Sequence, residues 1–198
     1  MKAFILCGGL GTRVANISGN KPKSLLNFGE HDFLEILLSQ LCVLPLTEII
    51  LLAGFRGYEI HQKYHRKVQN GIRIHVELEE HPLGTLGCFE HLTERLDENQ
   101  IILNGDTYIE FKNLSLWGDL IDARSRRNIV FPIFKKDVSR YGSLTLCDKY
   151  VRNFEEKSPN RSAGYINSGV YILTKEAIES GLSQKFTSLE KQLLVKLS

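Results

Sequence analysis

The sequence lacks any apolar run long enough to cross a lipid bilayer. Its longest apolar stretches, such as residues 49–53 and 101–103, fall far short of the roughly 18 residues that a membrane span requires. The short apolar segment at the N-terminus also lacks the small-residue cleavage pattern of a signal peptide. We therefore expect a cytoplasmic protein without a membrane partner.

Cysteine is scarce, and charge of one sign is not in excess. The four cysteines are widely separated and include no C-x-x-C pair, which favours reduced, mostly buried thiols over a zinc site or a disulfide framework. Lys and Arg number 25 against 23 Asp and Glu, a net charge of +2. Proteins that bind nucleic acid through bulk charge have a larger basic excess, so we predict no nucleic-acid partner.

The sequence does contain a regular alternation of apolar runs with amphipathic segments. No repeat, low-complexity segment or linker divides it, so we expect one domain over residues 1–198. The alternation predicts an α/β fold, a Rossmann-like three-layer α/β/α sandwich with a mixed, mainly parallel sheet. Predicted strands cover residues 2–7, 48–53, 72–78, 100–103, 128–134 and 164–173, with an antiparallel hairpin at 142–147 and 150–155. Predicted helices cover residues 33–44, 58–67, 85–96 and 114–126, with a short one from Thr174 and a last one from a capping box at 187–190.

The first predicted strand runs into a glycine-rich loop, C-G-G-L-G-T-R, over residues 7–13. Glycines allow positive φ and bring N–H groups close to an anion, and Arg13 supplies forked donors that match phosphate oxygens. The Lys-Ser or Lys-Thr pair of a P-loop is missing, and Val14 stands where a dinucleotide-binding loop has its last glycine. The loop predicts a phosphate site of another kind, with a plain strand-to-helix turn as the alternative.

Two further candidates follow in segments where open α/β sheets bind ligands. Pro22 stiffens the segment that carries Lys21 and Lys23, so a fixed ammonium there can face phosphate, unless both lysines are only solvated. Asp106 follows the predicted strand 100–103 and Gly105. Its carboxylate is placed where Mg²⁺ could bridge phosphate oxygens, with a turn-forming aspartate as the alternative.

These motifs together resemble those of a known family. The pattern GGLGTR with the later KPKS resembles the signature of the sugar-1-phosphate nucleotidyltransferases, and residues 80–85, E-H-P-L-G-T, resemble that family's base-contacting loop. Residues 103–106 resemble its metal-binding strand end, and residues 154–157 and 167–171 resemble its sugar-phosphate and sugar loops. The segments ILCGGLGTR and EHPLGTLG are most similar to members that transfer a guanylyl group to mannose or heptose 1-phosphates.

The resemblance implies a reaction, a cofactor and a set of residues. A sugar 1-phosphate would attack the α-phosphorus of a nucleoside triphosphate, preferably GTP, to release pyrophosphate and form an NDP-sugar for surface polysaccharides, with Mg²⁺ bound by Asp106. The implied catalytic residues are Arg13, Lys23 and Asp106. The implied nucleotide-binding residues are Leu6, Gly8, Gly9, Gly11, Thr12, Glu80, Gly84, Thr85, Asn104 and Gly105. The implied sugar-phosphate-binding residues are Glu156, Lys157, Asn167 and Gly169.

Other hypotheses stay open at this point. The resemblance leads us to expect that the family's further strand, with a second metal-binding aspartate, is lacking after residue 198. A catalytically weak module that binds nucleotide or sugar phosphate would then be an alternative, as would a cytidylyltransferase acting on another phosphorylated substrate. A nicotinamide-dependent oxidoreductase is disfavoured, because Val14 breaks the glycine pattern and no acidic residue ends the second strand. Whether the protein is a homo-oligomer also stays open.

Overall fold

A mixed β-sheet forms the centre of the fold in the computed structural model, which describes residues 1–9, 21–111, 127–139, 141–148, 150–155 and 163–198. The strands are β1 (Lys2–Leu6), β2 (Asn27–Phe28), β3 (His31–Asp32), β4 (Glu48–Ala53), β5 (Val68–Gln69), β6 (Ile72–Leu78), β7 (Asn99–Asn104), β8 (Ile129–Lys135), β9 (Ser143–Cys147), β10 (Tyr150–Glu155) and β11 (Gly164–Thr174). The helices are α1 (Phe33–Leu41), α2 (Gly57–Tyr64), α3 (Gly84–Gly87), α4 (Lys175–Ser183) and α5 (Leu194–Leu197).

The sheet has a parallel core with antiparallel flanks. Within the described residues its order is β10-β9-β11-β7-β1-β4-β6-β5, β8 pairs with β11, and β2 and β3 form a separate ribbon. The strands β7, β1, β4 and β6 are parallel, and Leu6 lies level with Leu52 on one side and Asn104 on the other. The segments that follow β1, β4, β6 and β7 therefore emerge at one edge of the sheet, where open α/β sheets bind ligands.

Alternate side chains of the central strands pack against two different layers. Ile5 of β1 belongs to a core that includes Leu37 of α1 and Ile60 of α2. Phe4, on the opposite face, packs against Phe89 with ring centroids 5.1 Å apart. Coverage of both faces explains why the parallel strands are almost continuously apolar. The predicted Rossmann-like α/β/α sandwich with a mixed sheet is confirmed, and its parallel part is the core.

The predicted helix over residues 85–96 is wrong. The structure has the short α3 and then a 3₁₀ turn, Thr93–Arg95. Between them the backbone makes i to i+3 hydrogen bonds, from Phe89 N to Leu86 O and from Leu92 N to Phe89 O. Apolar residues spaced by three can face one core from consecutive tight turns as well as from an α-helix, so the periodicity did not distinguish the two.

Other predicted elements differ in extent or direction. α1 ends at Leu41 and α2 at Tyr64, each three residues before its predicted end, and Arg66, just beyond α2, has a φ of 61°. The hairpin of β9 and β10 is confirmed, but β8 pairs antiparallel with β11 instead of extending the parallel series. The predicted helix over residues 114–126 lies outside the described residues. None of the described helices is long and apolar enough to cross a membrane.

The α1 N-terminus depends on a buried carboxylate, which allows a stability prediction. Asp32 is 4% exposed and accepts hydrogen bonds from Glu35 N at 2.8 Å, Lys63 Nζ at 2.6 Å and Tyr64 OH at 2.7 Å. Asp32→Ala removes the helix cap and leaves the Tyr64 hydroxyl without its acceptor, so we expect a loss of about 2–4 kcal/mol in the free energy of unfolding. Urea denaturation measures it.

A carboxylate of the same helix turn provides the matched control. The Glu35 side chain is 42% exposed and makes only longer ion-pair contacts, 3.3 Å to His31 and 3.8 Å to Lys63. Exposed pairs of this kind contribute about 0–1 kcal/mol, so Glu35→Ala is expected to change stability far less. Equal losses for Asp32→Ala and Glu35→Ala would contradict the proposed importance of the Asp32 cap.

Candidate active site

A cavity of about 360 Å³ opens at the edge where the parallel strands end. Its volume is within the range of small-molecule sites in proteins. It is lined by Leu6, Cys7, Gly8, Gly9, Lys23, Ser24, Glu79, Pro82, Gly84, Thr85, Cys88, Asn104, Gly105, Asp106 and Glu190. Most of the nucleotide-binding residues predicted within the described ranges are thus brought together around one space.

Two glycines allow the strand ends to approach each other closely. Gly105 N donates to Leu6 O at 2.9 Å, and a Cβ on Gly105 would lie 2.8 Å from that oxygen. A Cβ on Gly8 would lie 3.0 Å from Glu79 Oε1. Neither Gly8 nor Gly9 has a positive φ. The expectation of positive φ is therefore wrong for these two residues, and a side chain at Gly8 would instead crowd the Glu79 carboxylate.

Lys23 and Asp106 meet at the rim of the cavity. Pro22, with ψ of 138°, directs the chain into the 3₁₀ turn Lys23–Leu25, and Asp106 comes two residues after β7. Lys23 Nζ lies 3.4 Å from Asp106 Oδ2, and their side chains are 26% and 57% exposed. An exposed pair at this distance adds little stability, so the pair matters for what it presents to a ligand. Arg13, Gly11 and Thr12 lie outside the described residues.

The turn at residues 84–85 also lines the cavity, and it rests on the C-terminal segment. Gly84 has a φ of 81°, and a Cβ there would lie 2.3 Å from Thr187 O. Thr85 Oγ1 donates to Glu190 Oε2 at 2.9 Å and accepts from Leu189 N at 2.9 Å. Only glycine fits at position 84. The side chain of Thr85 is held between Glu190 and the backbone of Leu189.

Two carboxylates in the cavity were missed by the sequence analysis. Glu79 lines the cavity and is half-buried, whereas Glu80, the predicted residue, is exposed and is not among the lining residues. Burial raises the pKa of Glu79, and a hydrogen bond from the Leu83 backbone opposes this rise. A sequence signal exists, since Glu79 directly follows β6, but the side that each side chain faces could not be deduced from it.

Glu190 was assigned to the capping box at residues 187–190, and the structure corrects that interpretation. The helix cap is Ser188, whose hydroxyl accepts from Lys191 N at 3.1 Å. Gln192 Oε1 accepts from both Thr187 N and Ser188 N at 2.9 Å. The Glu190 carboxylate keeps only a long contact with the helix terminus, from Ser188 Oγ to Oε2 at 3.5 Å, and it lines the cavity. The segment starts as a π-helix, Leu189–Leu193, before α5.

The predicted sugar contacts lie behind the cavity wall. Asn167 and Gly169 belong to an irregularity of β11 between Asn167 and Tyr171, which we call the β11 bulge. Gly169 has a φ of 78°, and a Cβ there would lie 2.5 Å from Asn104 Nδ2. The gap left by Gly169 is thus filled by the Asn104 side chain, and contact of these two residues with a sugar stays a prediction. Glu156 and Lys157 lie outside the described residues.

Two of the four cysteines line the cavity. Cys7 and Cys88 are buried, whereas Cys42 is half-buried and Cys147 is exposed, so the prediction of mostly buried thiols holds for only half of them. Burial raises the pKa of Cys7 to about 12, and it also raises the pKa of Cys88. Both thiols stay protonated at neutral pH and are poor nucleophiles.

The profile of the family described as Nucleotidyl transferase matches residues 2–194. The chain belongs to this nucleotidyl transferase family. A D-glycero-alpha-D-manno-heptose 1-phosphate guanylyltransferase of Campylobacter jejuni is 32% identical over 94% of this chain and 82% of that protein. The mannose-1-phosphate guanyltransferase of Saccharomyces cerevisiae is 30% identical over 97% of this chain and 55% of its own length. The family resemblance drawn from the sequence is confirmed.

Solved structures agree with the family membership of this nucleotidyl transferase. HddC from Yersinia pseudotuberculosis superposes with a TM-score of 0.83 at 30% identity, covering 100% of this chain and 86% of that one. A second structure of that protein is a complex with GMP-PN, and it superposes with a TM-score of 0.82. The similarity spans the whole chain, so the cavity lies within the matched fold.

The side chains of this nucleotidyl transferase fit a magnesium ion that is bound partly by protein carboxylates and partly by substrate phosphates. Within the described ranges, no cluster of three His, Cys, Asp or Glu side chains could hold a metal ion by itself. Mg²⁺ typically keeps several waters and is bound by one or two carboxylates together with substrate phosphates. An exposed carboxylate such as Asp106, facing a cavity of nucleotide size, matches that arrangement.

Proposed function

We propose that this protein transfers a nucleotidyl group from a nucleoside triphosphate to a sugar 1-phosphate, with GTP and a heptose or mannose 1-phosphate as the preferred substrates. The observation that carries the proposal is the Lys23–Asp106 pair at the rim of the cavity. The pair puts a cation and a carboxylate side by side at the cavity, and phosphoryl-group chemistry uses both. The family match over residues 2–194 also supports one domain over residues 1–198.

The reaction needs charge neutralisation and alignment more than a protein nucleophile. A phosphate oxygen of the sugar 1-phosphate forms a bond to the α-phosphorus, the bond from that phosphorus to the β-phosphate oxygen breaks, and pyrophosphate leaves with the electron pair. Positioning and cationic groups provide most of the rate enhancement in such a displacement. Protonated Cys7 and Cys88 thiols in the cavity agree with direct transfer.

Each described residue at the rim has a role in this scheme. The Lys23 ammonium holds the α-phosphate and the attacking phosphate next to each other. Asp106 holds Mg²⁺, which supplies further positive charge to the phosphate oxygens when it is bound. The two side chains pair with each other at 3.4 Å, which keeps both at the rim. The glycine loop backbone at Gly8 and Gly9 lines the same space.

The preference for GTP is supported by the carboxylates of the cavity and by the relatives. Guanine presents adjacent N1–H and N2–H donors, which one carboxylate can accept as a pair, as carboxylates do with the forked donors of arginine. Glu79 lines the cavity beside Gly8, where a base can reach it. The Campylobacter jejuni and yeast relatives are both named as guanylyl-transferring enzymes, and HddC has been crystallised with GMP-PN.

A substrate matrix tests the proposal. The protein is incubated with Mg²⁺, each of GTP, ATP, CTP, UTP and dTTP, and heptose, mannose or glucose 1-phosphate, and pyrophosphate release is measured. We expect the highest kcat/KM for GTP with a heptose or mannose 1-phosphate. Failure of every pair to react above the blank would reject the proposal. Calorimetric binding without turnover would instead favour the weak binding module.

A further inference from the structure

One carboxylate joins the turn at residues 84–85 to the β11 bulge. Glu190 Oε2 accepts a hydrogen bond from Thr85 Oγ1 at 2.9 Å, on the turn at residues 84–85. Glu190 Oε1 accepts a hydrogen bond from Tyr171 OH at 3.3 Å, and Tyr171 is the residue at which the β11 bulge ends. The two oxygens of one side chain thus serve two segments that are 86 residues apart in the chain.

The link continues from Tyr171 into the bulge. Asn167 Nδ2 donates to Tyr171 OH at 2.6 Å, and Asn167 Oδ1 accepts from Gly169 N at 3.0 Å. Gly169 in turn packs against the Asn104 side chain, which lines the cavity. An unbroken path of contacts therefore runs from Thr85 through Glu190 to Asn104, behind the cavity wall.

The middle of this path is rigid and remains in one protonation state. Tyr171 is fully buried, and burial, followed by the negative charge of Glu190, raises its pKa above the ordinary value. The hydroxyl therefore stays a neutral donor at any working pH. Leu189, next to Glu190, is also fully buried, which anchors the carboxylate to the core. Hydrogen bonds in such shielded networks are stronger than in water.

The turn at residues 84–85 is docked on this anchor through its backbone as well. Leu86 N donates to Thr187 O at 2.9 Å, and Leu189 N donates to Thr85 Oγ1 at 2.9 Å. The position of the turn is therefore set by the C-terminal segment, and Glu190 is the only contact among these that also reaches the β11 bulge.

We propose that Glu190 is a positioning residue that fixes the turn at residues 84–85 and the β11 bulge relative to each other. This inference rests on the proposed function and on the predicted roles of the turn at the nucleotide and of the β11 bulge at the sugar phosphate. The two substrates react in line, so a displacement of about 1 Å between their sites lowers the rate strongly. Glu190 sets that distance through its hydrogen bonds to Thr85 and Tyr171.

The kinetic test separates the two halves of the link. Thr85→Val removes the nucleotide side and is expected to raise mainly the KM for the triphosphate. Tyr171→Phe removes the sugar side and is expected to raise mainly the KM for the sugar 1-phosphate. Glu190→Ala is expected to raise both KM values about tenfold and to lower kcat, since hydrogen bonds to a charged acceptor are lost on each side.

Two further variants provide the controls. Glu190→Gln keeps the shape of the side chain but only one of its two acceptor oxygens, so we expect it to raise the KM values less than Glu190→Ala does. If Glu190→Gln raised both KM values as much as Glu190→Ala, the hydrogen bonds of this side chain would not set the distance between the two segments, and the positioning role would be overturned. Glu179→Ala removes an exposed carboxylate of α4, which pairs with Lys175 at 3.7 Å, and it should change neither KM.

A measurement without substrate keeps this inference distinct from the proposed function. In Glu190→Ala, amide hydrogen exchange of the β11 bulge and of the turn at residues 84–85 is expected to accelerate together, with Glu179→Ala at the wild-type rates. Unchanged exchange in the bulge would overturn the inference even in an active enzyme. Absence of turnover in the wild type, with coupled exchange intact, would reject only the proposed function.

Discussion

Asp106→Asn is expected to lower kcat by about 10²–10³-fold or more at saturating substrates. The amide keeps the size of the side chain but removes the negative charge that would hold Mg²⁺ against the substrate phosphates. Without the carboxylate, charge on the phosphate oxygens during transfer is less well neutralised, and the concentration of Mg²⁺ needed for half-maximal rate rises. A titration of initial rate against Mg²⁺, with pyrophosphate as the readout, measures both changes.

Stability is expected to be almost unaffected by this substitution, because the Asp106 side chain is 57% exposed and its pair with Lys23 is at the surface. Asp97→Asn is the matched control. Asp97 also accepts from a lysine, Lys2 Nζ at 3.1 Å, but it is not among the residues that line the cavity. An Asp106→Asn enzyme with kcat within a few-fold of wild type would remove Asp106 from the proposed chemistry.

The strands of the sheet core could be predicted from the sequence because the apolar pattern that defines each strand is local in sequence. β1 and β4 are continuous apolar runs, since helices cover both faces of parallel strands, and their predicted bounds agree with the structure to within one residue. Once the strands are placed, parallel neighbours end at one edge, so Asp106 could be expected at the cavity. Asp106 follows β7 by two residues, whereas Lys23 comes 17 residues after the end of β1, so its place beside Asp106 was expected from its motif and not from a strand end.

The parts of the site that could not be predicted depend on contacts distant in sequence. Glu190 reaches Thr85 only because the C-terminal segment folds back over the turn, with 104 residues between them. At the end of β6, the choice between Glu79 and Glu80 is a shift of one residue, which places the side chain on the opposite side of an extended chain. No local pattern decides either question.

Glycine positions also show that sequence patterns cannot identify contacts between distant residues. Gly169 is unusual within a strand, where a glycine commonly marks a bulge or the close approach of a ligand. The structure shows the bulge, but it fills the gap with the Asn104 side chain of a neighbouring strand. Which group occupies the space beside a glycine is decided by the tertiary packing, so a ligand could not be inferred from the glycine alone.

Lys23→Ala is expected to reduce kcat/KM by about 10²–10³-fold, with a smaller change in nucleotide affinity. The ammonium is most valuable when negative charge from both substrates meets at the α-phosphorus, so its loss affects the transition state more than the ground state. Initial rates at varied concentrations of each substrate separate kcat from KM, and calorimetry measures nucleotide binding directly.

Lys21→Ala is a stringent control, because Lys21 has the same charge and is separated from Lys23 only by Pro22. Lys21 is exposed and is not among the residues that line the cavity. If bulk positive charge near the entrance were sufficient, the two substitutions would have similar effects. A position-specific role predicts near wild-type kcat/KM for Lys21→Ala and partial recovery for Lys23→Arg, whose longer forked donor also binds phosphate. Equal losses in Lys21→Ala and Lys23→Ala would show that the segment acts only through its net charge, and Lys23 would then have no claim to the reacting phosphates.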